Sequence, residues 1–152
     1  MKTLFSLDAL MTDLLDYARQ ELQKSGKSHI EVETNHYSET GTYWLDADRN
    51  RLRQIFIILI DDAIKYNDKG FMVFGYFARR KNIIDFFVDD TRYTNTNRRN
   101  DDDLSIARGL LKKTGSQLIE QRQFFVGSSF SFAVRGFTKL VENENLNPTC
   151  EE

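Results

Sequence analysis

The side chains that could carry chemistry in this 152-residue chain are mostly carboxylates. Asp62 and Lys65 stand three residues apart in a run of helical periodicity, Asp89, Asp90 and Thr91 close an apolar stretch, and Asp101, Asp102 and Asp103 precede Leu104. A carboxylate is a hard oxygen donor able to hold Mg²⁺, and three in succession ahead of a helix cap it well. Lys65, at the end of its helix, is a cation placed to offset the dipole. Nucleophiles are scarce. The one cysteine, Cys150, makes neither a disulfide framework nor a cysteine-ligated zinc site. His29 and His36 are the only histidines, and His29 lies beside an expected strand.

These residues need elements to position them. Ser6 is placed to cap a helix on which Leu7, Leu10, Met11, Leu14, Leu15, Ala18 and Leu22 form one apolar stripe, ended by Ser25 and Gly26. Ile30 and Val32 alternate with Glu31 and Glu33 as a short strand, and a polar link leads to a second at residues 43–45. These two are expected to form an edge pair. Asp48 caps a second helix, apolar over more than half its circumference and therefore deeply buried. Residues 67–70 form a turn, then strands at 71–78 and 83–88 are joined by the basic tip Arg79-Arg80-Lys81. Phe86, Phe87 and Val88 form the apolar run of an interior strand covered on both faces. A polar loop over 89–103 leads to a helix carrying Leu104, Ala107, Leu110 and Leu111, then strands at 117–121 and around Phe130, Phe132 and Val134. The expected domain is 1–136, followed by a polar tail at 137–152. The fold class is α+β, a two-layer sandwich with a mixed sheet covered on one face by about three helices.

A net charge of −2 and a pI near 5.7 supply no global basic field, which argues against nucleic acid as a partner. The Arg79–Lys81 and Arg98-Arg99 clusters read as solvated surface. The longest apolar run, residues 55–60, is far too short to span a bilayer. No signal-peptide pattern opens the chain, so the expectation is a soluble, cytoplasmic protein with no direct membrane contact.

Three stretches together resemble the ATP-binding domain of sensor histidine kinases, in the GHKL (Bergerat-fold) superfamily. Asp48 to Ile55 followed by Asp62-Ala63-Ile64-Lys65-Tyr66 is similar to the N-box helix, Phe87 to Thr91 to the strand ending in Asp-Thr-Gly, and Leu104 to Leu110 with Gly115 and Gly127 to Phe132 to the helix and closing strand beyond the second glycine box. The likeness runs in the family's order from about Phe5 to Val134. It implies a nucleotide site containing Asp62, Lys65, Tyr66, Asp90, Thr91 and Ser128. Asp62 would occupy the Mg²⁺-ligand position of the N-box asparagine, Lys65 the lysine that points toward phosphate, and Asp90 the aspartate that hydrogen-bonds the adenine amino group.

The departures from the pattern fall on the glycines. Arg92 and Thr94 stand where two glycines follow Asp-Thr, and Arg99, Asp101 and Asp103 occupy the Gly-x-Gly-x-Gly positions. Such loops bind phosphate through closely approaching backbone N–H groups, whereas carboxylates there repel it. A like-charge pair at 4 Å costs about 4 kcal/mol at an effective dielectric of 20, and a micromolar site is worth only about −8 kcal/mol. Only 13 residues separate Asp90 from Leu104, too few for the family's mobile lid, and no phosphoacceptor histidine is in place. The resemblance therefore implies a non-catalytic signalling or protein-binding module with a vestigial nucleotide site and no cofactor. Its partners would be a histidine kinase, a response regulator or a second copy. Tyr43, Trp44 and Tyr93 serve either a contact surface or the core. The competing readings are a divergent Mg-ATP-binding domain for phosphotransfer to histidine and a serine kinase of the anti-sigma type.

Overall fold

Ser6 opens the first helix, α1 (Leu7–Lys24), its Oγ accepting from the Ala9 N–H at 3.1 Å. In the computed structural model the described residues are 1–36, 41–91, 101–123 and 127–142. Leu7, Leu10, Met11, Leu14, Ala18 and Leu22 are all buried, the one-sided stripe that a 3.6-residue repeat lays against a core. Gly26, at φ +71°, ends the helix, with the Lys27 N–H on Leu22 O at 2.8 Å and the Gly26 N–H on Gln23 O at 3.1 Å. That is the left-handed stop that satisfies the last carbonyls.

The second helix, α2 (Arg49–Tyr66), starts where Asp48 Oδ1 accepts from the Arg51 N–H at 3.1 Å. Its buried face runs from Leu52 to Ile64 and centres on Phe56, whose ring lies 5.5 to 6.1 Å from those of Phe74, Phe86 and Phe132. The third helix, α3 (Asp101–Lys112), packs on α2.

Five strands lie beneath the helices: β2 (Glu31–His36), β4 (Phe71–Arg80), β5 (Ile83–Asp90), β6 (Ile119–Gln123) and β7 (Gly127–Arg135), ordered β2-β4-β5-β7-β6. β2 runs parallel to β4 and the remaining pairs are antiparallel. The fold is thus the expected α+β sandwich with three helices on a mixed sheet. Gly75 is required where β4 meets β2, since a Cβ there would stand 1.7 Å from Asn35 O.

Three expectations need correction. The strands at 30–32 and 43–45 do not pair with each other. β2 joins β4, while β3 (Gly41–Ala47) lies between β1 (Thr3–Ser6) and β8 (Thr138–Glu142) in a separate antiparallel sheet. Nearness in the chain suggested a pair, but register is decided by the apolar face, and Val32 reaches the core only beside Met72. The folded chain also continues past 136, because β8 extends to Glu142 and the rest of the expected tail lies outside the described residues. Finally, β5 is interior in order but covered on one face. Ile84, Phe86, Val88 and Asp90 are buried under the helices, whereas Ile83, Asp85, Phe87 and Asp89 alternate onto the opposite, half-buried side.

Candidate functional site

The C-terminal half of α2 and the end of β5 bring the sequence-derived residues to one end of the sheet. Asp62 is 8% exposed among the buried residues of α2, and Asp90 and Ser128 are each 4% exposed. Asp90 and Ser128 are direct cross-strand partners on β5 and β7, so both fall on the helix-covered side. Ser128 Oγ is buried without a hydrogen-bond partner among the described residues, a costly state unless something supplies one. Gly127, at φ +142°, is demanded by the backbone, since a Cβ there would stand 2.1 Å from Asp90 O.

Thr91 is a fastener for the neighbouring turn. Its Oγ1 accepts from the Phe71 N–H at 3.0 Å and lies 3.2 Å from both Lys69 O and Phe71 O, while its own N–H reaches Phe71 O at 3.1 Å. Asn67, at the C-cap of α2, is fully buried. Its Nδ2 donates to Phe71 O at 3.3 Å and its Oδ1 has no partner among the described residues. Sequence reasoning saw only a turn at Asn67, because nothing local marks a turn asparagine as buried.

Lys65 and Tyr66 diverge from the buried pair. Lys65 is exposed, its Nζ 5.3 Å from the Tyr66 ring centroid, and Tyr66 is partly buried. The cation that meets the carbonyls at the end of α2 is Lys27, from the turn after α1. Its Nζ donates to Ile64 O at 2.7 Å, Asn67 O at 3.0 Å and Lys65 O at 3.3 Å, and pairs with Asp68 at 3.6 Å. His29 joins the same corner through Nε2 and Asp68 O at 2.7 Å, a structural contact.

The first turn of α3 is built from Asp101, Asp102 and Asp103, so two of the expected glycine-loop positions are helical backbone here. Arg92, Tyr93, Thr94 and Arg99, like Cys150, lie outside the described residues. No group of three or more His, Cys, Asp or Glu side chains suited to a metal occurs among the described residues.

Further tyrosines and carboxylates bind the elements together. Tyr76, fully buried, donates to Asp8 Oδ1 at 2.6 Å, and burial together with that carboxylate raises its phenol above the ordinary tyrosine range. Asp13 accepts from Arg53 Nε at 2.8 Å and Arg49 at 3.3 Å. The Arg53 hydrogen bond chiefly holds its carboxyl below the ordinary value. Tyr43 packs against the core. None of the described helices is long and apolar enough to cross a membrane.

Three helices over one face of a mixed sheet make up the fold of histidine-kinase catalytic domains. Full-length ShkA in complex with AMPPNP superposes with a TM-score of 0.78 at 20% identity, over 92% of this chain and 32% of ShkA, so the chain spans about a third of that protein. The Acinetobacter baumannii histidine kinase AdeS gives 0.72 at 17% identity, over 90% of this chain and 68% of AdeS. The nucleotide-free catalytic domain of the histidine kinase ThkA gives 0.72 at 18%, over 90% of this chain and 98% of that domain. At these identities the likeness establishes the fold. No protein-family model matches the sequence, and no curated protein matches it.

Proposed function

We propose that the chain is a non-catalytic signalling module on a histidine-kinase ATPase fold, which docks a histidine kinase or response regulator and does not use ATP. The observation that carries this reading is the acidic first turn of α3, where Asp101 and Asp103 stand in place of loop glycines. Backbone N–H groups in a helix's first turn attract anions, but three successive aspartates in the sequence there add negative charge that repels a polyphosphate.

A thermal titration tests it. Ligand at 100 times its dissociation constant stabilises a fold by about 2.7 kcal/mol, which for a domain of this size raises the melting point roughly 5–10 °C. Millimolar Mg-ATP or Mg-ADP should leave the midpoint unmoved, and a rise of that size would overturn the reading. Glycines at Arg92, Thr94, Arg99, Asp101 and Asp103 together with Asp62→Asn should recover binding.

The unpartnered Ser128 Oγ beside buried Asp90 favours a second reading, a divergent domain that still takes Mg-ATP for phosphotransfer to histidine. A rise in melting point with Mg-ATP that Ser128→Ala and Asp90→Asn each diminish would select it.

A further inference from the structure

The face of the five-stranded sheet turned away from the helices is graded in charge from one end to the other. By register, Glu33, Val73, Asp89, Ser129 and Gln121 form one row across it, with Glu31 opposite Phe71 one step further out. In the middle, Phe87 lies between Gly75 and Ser131 with Ile119 beyond, and stacks on Phe77 at 5.1 Å and 18°. At the far end Ile83 stands between Arg80 and Arg135, and Arg79 lies 5.2 Å over the Phe77 ring. Asp85 pairs with Arg80 at 2.8 Å and Arg79 at 3.7 Å. Three arginines against this one carboxylate leave the far end at +2, while Glu31, Glu33 and Asp89 leave the near end at −3.

Each end is hollowed. Asp89, Ser129, Val73 and Phe71 line a depression of about 270 Å³, and Arg80, Arg135, Ile83 and Ile119 line one of about 470 Å³. Phe71 and Ile119 are 48% and 51% exposed. Asp89 Oδ1 is buried with no hydrogen-bond partner among the described residues, and burial above all pushes that carboxyl above the ordinary aspartate range. Glu31, Glu33 and Arg135 have no ion-pair partner among the described residues.

We propose that this face pairs with a second copy of itself, sheet against sheet, related by a half-turn about an axis that lies in the interface and crosses the strands. That rotation keeps strand order in place and exchanges strand ends. The Asp89 hollow of each copy then meets the Arg80–Arg135 hollow of the other, with Phe77, Phe87 and Ile119 between. A contact that uses the same patch on both copies closes as a dimer. Five strands about 4.8 Å apart and roughly eight residues long, at about 3.3 Å each, give a flat footprint of about 600 Å² before corrugation. A standard interface buries about 800 Å² per partner, so the area suits a modest dimer in which the charged ends set the orientation. The Asp89 hollow is lined by Asp90, Thr91, Gly127 and Ser128 as well, so the contact closes over the strand end at which the second reading of the function places a nucleotide.

The test is sedimentation equilibrium of the full chain at low salt, up to about 0.1 mM protein. The wild type should form a dimer that weakens as salt rises. Asp89→Lys alone sets a lysine opposite Arg80 and Arg135 at both ends of the contact, and Arg135→Glu alone sets a glutamate opposite Asp89 at both, so each should dissociate at least about tenfold more readily. Mixed in equal amounts they should form a heterodimer, because each end then joins opposite charges. Melting curves check that both variants fold. If Asp89→Lys does not, Glu33→Lys replaces it, and if Arg135→Glu does not, the exposed Arg80→Glu replaces that. A wild type monomeric throughout, a dimer unaffected by both substitutions, or two folded variants that fail to recover on mixing would each overturn the proposal. So would a monomer whose Phe71–Ile119 face binds a different protein.

Discussion

Replacing Lys27 with methionine keeps an unbranched chain and removes one ammonium. That ammonium reaches three carbonyls around the end of α2, at 2.7, 3.0 and 3.3 Å, and its side chain is 20% exposed. A hydrogen bond to a charged group contributes about 1.5–3 kcal/mol net, and a cation at a helix C-terminus a further 0.3–1 kcal/mol or so. Part is offset by lysine rotamer freedom, worth up to about 2 kcal/mol, that the variant regains. The expected cost is about 2 kcal/mol, or roughly 4–8 °C in melting point for a domain of this length. Asp68 is 93% exposed, so its share of the effect is that of a surface ion pair, below about 1 kcal/mol. Urea unfolding of Lys27→Met and Asp68→Asn, with and without 0.5 M salt, separates the two contributions, because salt screens the exposed pair far more than the partly buried carbonyl contacts. If Lys27→Met costs no more than Asp68→Asn, or if salt alone reproduces its effect, the carbonyl cap is not what holds this corner.

Phe56→Ala removes the ring at the centre of the Phe74, Phe86 and Phe132 cluster and should cost about 3–5 kcal/mol in chemical denaturation. Gly75→Ala sets a methyl 1.7 Å from Asn35 O, so strand β2 should detach, seen as loss of amide-exchange protection across 31–36. The carboxyl of Asp13 is held below its ordinary value by Arg53 and Arg49. Its contribution is therefore present above the unfolded pKa of about 3.9 and lost as pH falls through the folded value. The acid limb of the stability curve should be shallower in Asp13→Asn than in the wild type, and the two should converge at the lowest pH.

What the sequence disclosed was the part of the fold written in local patterns. Ser6 and Asp48 are caps because a short side-chain oxygen sits just ahead of an apolar stripe, and both helices begin there. Asp62, Asp90 and Ser128 were singled out by the resemblance alone, and the structure buries all three. Less legible was anything settled between distant segments. β1 has four residues and β8 five, with Phe5 the one buried residue among the nine, so neither carries an alternation strong enough to read. Lys27 follows a helix stop and resembles any solvated lysine until α2 is laid beside it. Phe87, in an apolar triplet, looked like core on both sides, and the structure gives it Phe77 and an open face.

The three-stranded sheet around β3 has a mechanical consequence. β1 and β8 flank β3, both antiparallel to it, with Thr3 beside Ala47 at one end and Glu142 beside Gly41 at the other. Tension applied at residues 3 and 142 would load both ladders in shear, so their hydrogen bonds would share the force along the strand instead of opening one at a time. β3 passes through Asp48 directly into α2. A tug on either flanking strand is therefore delivered along β3 to the start of the helix that carries Asp62.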